Sequence, residues 1–116
     1  MEKLLPRTKA LALDVIRFCS RLPQKPEFWV ISRQLMRSAT SVGANYRSTC
    51  RAKSPADFVA KMAIVEEEAD ESLYWMELLE ALLPTPSEEL KRLGDEANQI
   101  VAMVVASKKT ARRNLK

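Results

Sequence analysis

Histidine is absent from the 116 residues, and glycine occurs only twice. Without an imidazole, Ser-His-Asp and Cys-His catalysis are unavailable in their usual forms. The Glu-x-x-His ligand sets of di-iron helical bundles are excluded with them. Gly43 and Gly94 both stand inside helical patterns, so no glycine-rich phosphate loop exists. Two glycines and six prolines leave little material for hairpins. The two cysteines, Cys19 and Cys50, have no second pair for a zinc site. They fit free thiols in a reducing compartment, although their spacing leaves a disulfide between two helices open. A basic-then-apolar leader and an apolar run of 18 residues are both missing, which predicts a cytoplasmic chain that does not enter a membrane.

What is present is dominated by strong helix formers: Ala, Leu, Glu, Lys, Arg and Met. A hydrophobic fraction of 47% suffices for one core, and this length favours one domain, residues 1–116. Prolines and caps divide it into four amphipathic helices. The first runs from about Pro6 to Arg21, with Thr8, Leu11, Val15, Phe18 and Leu22 inward and Ala12, Ile16 and Cys19 widening the stripe. The second runs from Pro26 or Glu27 to about Ala52 along Phe28, Ile31, Leu35, Ala39, Val42 and Tyr46. "KSPAD" then offers Ser54 as N-cap, Pro55 at the first helical position and Asp57 as the capping-box acid. The third helix, about 55–83, turns Phe58, Met62, Val65, Ala69, Leu73 and Met76 inward. Ser87 or Thr85 caps a fourth, about 87–112, through Leu90, Leu93, Ala97, Ile100 and Val104. Short connections predict an all-α, antiparallel up-down-up-down four-helix bundle.

Within the second helix, Ser38 to Ala44 form an unusually thin segment. Gly43 is a candidate point of close helix approach. Ser41 and Asn45 are neighbours four residues apart, placed to make a buried hydrogen bond that fixes register. The run "LMRSATSVGANYRSTCRAKSPADFVAKMAIVEEEADESLYWMELLEAL" resembles the bacterial four-helix-bundle proteins of 23S ribosomal RNA intervening sequences, over residues 9 to about 105. The family often shows "SIPANIAEG" here. This chain keeps Ser41, Ala44 and Asn45, has Gly43 for the proline, and has Arg47, Ser48 and Thr49 where "AEG" would fall. The resemblance implies a homo-oligomer, commonly a pentameric ring. It also implies distant kinship with the accessory protein of diversity-generating retroelements, a basic pentameric bundle that binds nucleic acid and a reverse transcriptase.

Charge is distributed unevenly. Residues 1–61 carry a balance of +8, residues 62–107 a balance of −9, and residues 108–116 a balance of +5. On a helical wheel Arg33, Arg37, Arg47 and Arg51 form a ridge about 27 Å long. Its partners could be internal. Glu66 with Asp70 and Glu67 with Glu71 are like-charge pairs at i,i+4 that neighbouring cations would relieve. They could instead be phosphates, with Lys53, Lys61 and the tail residues Lys108, Lys109, Arg112 and Arg113 extending the track. A plainly solvated face is the third possibility. Trp29, Tyr74 and Trp75 each adjoin another aromatic in sequence, so one of each pair must turn outward, as at a subunit boundary. Glu67 and Glu71 share a helical line with Ile64, Tyr74 and Leu78, which again suggests an interface.

The acids of "EEEADE" crowd one helix with no second acidic helix to match them, so neither a metal, a cofactor nor a catalytic activity is expected. The function that follows is an oligomeric bundle binding RNA or DNA through its basic surface and the tail from about 108. The alternative is an interaction scaffold or accessory subunit that docks a partner protein and binds no nucleic acid.

Overall fold

The computed structural model describes residues 3–115. Four helices account for nearly all of them: α1 (Leu4–Cys19), α2 (Pro26–Thr49), α3 (Pro55–Leu82) and α4 (Glu88–Arg113). Each packs on its neighbours in sequence, and α4 closes the ring against α1, while the diagonal pairs make no close approach. The result is an up-down-up-down bundle about 50 Å long and 20 Å across.

Local chemistry explains the helix limits. Ser54 has extended backbone, and its hydroxyl accepts the Asp57 amide at 3.0 Å. The Asp57 carboxylate returns a bond to the Lys53 amide at 3.0 Å. That amide and Lys61 hold the carboxyl below its usual range. Ser87 caps α4 in the same way through the Leu90 amide at 3.1 Å. Pro26 and Pro55 stand at helix starts, where no amide donor is needed. Two ends fall short of the sequence expectation. α1 stops at Cys19 and α2 at Thr49, because the amides of Arg21, Leu22, Arg51 and Ala52 bond back three residues rather than four.

The core runs the length of the bundle, from Leu4, Tyr46 and Met62 through Val15, Leu35 and Val104 to Phe28, Leu79 and Leu90. Ile16, expected at the edge of the α1 stripe, is 41% exposed, and Phe58 and Leu73 are only half-buried. Polar groups in the core are few and bonded. Ser38 and Ser72 are fully buried and joined Oγ to Oγ at 3.0 Å across the α2–α3 seam. Thr8 turns its hydroxyl back to the Leu4 carbonyl at 2.7 Å.

Candidate nucleic-acid interface

The up-down order brings the start of α1, the end of α2, the start of α3 and the end of α4 to one end of the molecule. An open cleft of about 720 Å³ there is lined from all four, by Leu5, Tyr46, Cys50, Lys53, Pro55, Phe58 and Ala111 among others. Arg7, Lys61 and Lys108 of these segments pair with Glu96, Asp57 and Glu66. The other cations there are Lys3, Lys9, Arg47, Arg51, Lys53, Lys109, Arg112 and Arg113. None makes an ion pair among the described residues. Asp57, the acid in the first turn of α3, is already engaged by Lys61 at 3.2 Å and by the Lys53 amide. Eight uncompensated cations on the end of a bundle 20 Å wide produce a strong positive potential.

The arginine ridge divides. Arg37 is held internally, ion-paired to Glu71 of α3, 3.4 Å from Glu68 and bonded to Gln34 at 3.2 Å. Arg47 and Arg51 belong to the basic end, whereas Arg33 lies exposed toward the other end of α2 and makes no ion pair among the described residues. The tail is not a separate segment, since residues 108–113 continue α4. Lys108 is set apart from its neighbours: its ammonium reaches Glu66 at 2.5 Å and is mostly covered. Lys109, Arg112 and Arg113 face solvent.

Ser41 and Asn45 do bond, Nδ2 to the Ser41 hydroxyl at 2.7 Å and to its carbonyl at 2.9 Å. Both bonds lie within α2. The buried bond that crosses between helices among the described residues is Ser38 to Ser72, a pairing that only the seam geometry reveals. A Cβ built on Gly43 would lie 3.4 Å from the Thr8 hydroxyl and 3.5 Å from its backbone, so this is where α1 and α2 come close. Glu71 also accepts the Trp75 indole N–H at 3.1 Å, and Tyr74 packs edge-on against Trp75 with ring centroids 5.0 Å apart. Tyr74 and Trp29 are each about half exposed, and Glu67 is exposed without an ion-pair partner among the described residues.

A family model for the 23S rRNA-intervening sequence protein matches residues 3–106. The chain belongs to that family. A crystal structure of a protein of unknown function from the S23 ribosomal protein family, from Bacteroides thetaiotaomicron, is similar to it at 30% identity. The TM-score is 0.83, and the match covers 90% of this chain and 97% of the other. Among the curated proteins compared, none matches the chain. The family match thus carries the fold and leaves the chemistry of the basic end to be read from its residues. No helix among the described residues is long and apolar enough to cross a membrane, and no three acidic or cysteine side chains among them gather as metal ligands would.

Sequence reasoning assigned binding to the ridge and tail but did not include Lys3 and Lys9, which the bundle places beside them. It also did not include the pairing of α1 with α4. Arg7 grips Glu96 through Nε at 3.0 Å and Nη2 at 2.6 Å, and Arg21 grips Glu89 at 2.7 and 2.6 Å. Those contacts hold Arg21 and push the Glu89 carboxyl below its usual range. The sequence signal was available, because an up-down order forces Arg21 and Glu89 to the same end.

Proposed function

We propose that this protein is a non-catalytic bundle that binds nucleic acid, structured RNA or DNA, through its basic end. The observation that carries the reading is the gathering of eight cations without an ion pair among the described residues, from four separated chain segments, beside a largely apolar cleft. Arginines and lysines on a rigid helical frame suit phosphate contacts, which fix position without reading sequence. The test is anisotropy of a labelled structured RNA and a duplex DNA, with nuclease-treated protein at several salt concentrations. A log-linear fall of affinity with salt is expected. Replacing Arg51, Lys109, Arg112 and Arg113 by Gln should flatten that slope and remove most binding. Truncation after Ser107 is less informative, because it also removes the Lys108–Glu66 pair and a wall of the cleft. Salt-insensitive binding, or none, would turn the search toward a partner protein docking on the bundle.

We propose further that the protein self-associates, as a pentamer by family resemblance. Trp29, Val30, Tyr74 and Leu82 are 44–63% exposed on the outside of α2 and α3. Arg33 on α2 and Glu67 and Asp70 on α3 are unpaired among the described residues and oppositely charged. Light scattering coupled to gel filtration should give five times the protomer mass. Tyr74→Glu together with Val30→Glu should return a monomer that remains helical.

A further inference from the structure

The basic end is more than a charged surface, because its centre is apolar. We infer that the cleft there receives an unpaired nucleobase, so that the nucleic acid bound is single-stranded or looped rather than continuous duplex. This rests on the reading of the basic end as a nucleic-acid surface.

Carbon dominates the cleft wall, with Leu5, Pro55, Phe58 and Ala111 contributing alongside Cys50 and the buried Tyr46. Its volume of about 720 Å³ lies in the range of small-ligand pockets, roughly 300–1,000 Å³. Phe58 is held only half-buried, which leaves part of its ring at the cleft surface. Cations adjoin the rim: Lys53 is itself a lining residue, and Arg51 falls between the lining residues Cys50 and Ala52 in the chain. Arg112 and Arg113 share the last turn of α4 with the lining residue Ala111 and face solvent beside the cleft rather than into it. A continuous duplex would meet this surface with phosphates alone, its bases stacked and out of reach, and the apolar wall would stay wet. An unpaired nucleotide satisfies both features at once, its base leaving water against Phe58 and its flanking phosphates meeting the rim. Aromatic and apolar contact to splayed-out bases within a basic groove is the general chemistry of single-strand recognition.

The test uses the full chain and three fluorescein-labelled DNA probes of about 12 nucleotides, a length within the span of known single-strand sites. They are oligothymidylate, a strand with the same phosphates but abasic at its central positions, and a blunt duplex. At one fixed salt concentration, oligothymidylate should bind about tenfold more tightly than either other probe. Ala111→Leu, which fills the cleft from the half-buried face of α4, should erase that preference and leave abasic binding unchanged. Should that variant melt early, Phe58→Leu carries the same test by removing the ring at similar volume. Arg51→Gln with Arg112→Gln should weaken all three probes alike. Equal affinity for the thymidylate and abasic strands would overturn the base site and leave the basic end standing as a phosphate surface. No binding of any probe at low salt, or no response to the arginine changes, would overturn both.

Discussion

At Ser38 the hydroxyl donates to the Leu35 carbonyl at 3.2 Å and accepts from Ser72, which can also donate to the Glu68 carbonyl at 2.9 Å. Ser38→Ala therefore leaves Ser72 with an acceptor, and should cost about 1 kcal/mol in chemical denaturation. Ser38→Leu overfills a fully buried site and should cost about 1–3 kcal/mol. The two glycines separate by surroundings. Nothing lies within 4 Å of a Cβ on Gly94, so Gly94→Ala should gain close to the full helix-propensity difference of about 1 kcal/mol. Gly43→Ala meets Thr8 at 3.4–3.5 Å and should gain only about half as much. The thiols differ as well. Cys19 is buried, and desolvation pushes it up to about 11, while Cys50 is exposed near the other end of the bundle. Iodoacetamide should thus label Cys50 in the native protein and reach Cys19 only on unfolding. This also removes a disulfide between them within one chain. Burial, and secondarily a hydrogen bond with Cys50, pushes the Tyr46 phenol from 10.0 up to about 12. The folded state then keeps a proton that the unfolded chain loses. Stability should be unaffected by this group below pH 10, decline above it, and stop declining past about pH 12.

Among the elements, the α1–α4 seam depends most on charge. Arg7 reaches across it to Glu96, to Gln99 at 2.8 Å and to the Met103 sulfur at 3.1 Å. Arg92 and Asp14 add a weaker contact at 3.5 Å. The planar fork of Arg7 matches the carboxylate in a way that an ammonium cannot. Arg7→Lys should therefore lose most of what Arg7→Gln loses, about 1 kcal/mol by thermal or urea unfolding, with Glu96→Gln not additive to either. The α2–α3 seam has instead the dry Ser38–Ser72 contact flanked by the Arg37–Glu71 pair. The α2–α3 and α3–α4 seams explain why like charges can crowd α3: Glu68 and Glu71 meet Arg37 of α2 and Glu66 meets Lys108 of α4, which offsets their mutual repulsion.

For the whole molecule, the helix count, their polarity and most of the core were legible from residue spacing, since a 3.6-residue apolar period admits one solution when loops are short. Ser54, Ser87 and the prolines marked boundaries because capping is local chemistry. Ile16 and Phe58 were misplaced because the edge of a stripe is buried or exposed according to how the next helix is rotated, which no single helix encodes. The charge reading divided for the same reason. Sequence alone could list Arg37, Lys108 and Arg112 as cations, yet only the packing gave the first two acidic partners and left the third without one among the described residues. A chain of this composition, with strong helix formers and clear apolar stripes on α1, α2 and α4, favours a helical bundle, because local propensity and hydrophobic burial agree along those segments. Which cations remained without an ion pair among the described residues, and that eight of them gather at the end that holds an apolar cleft, was decided by tertiary structure. Electrostatic pairing depends on distances between residues about 30 to 90 positions apart, and those distances exist only once the helices have docked.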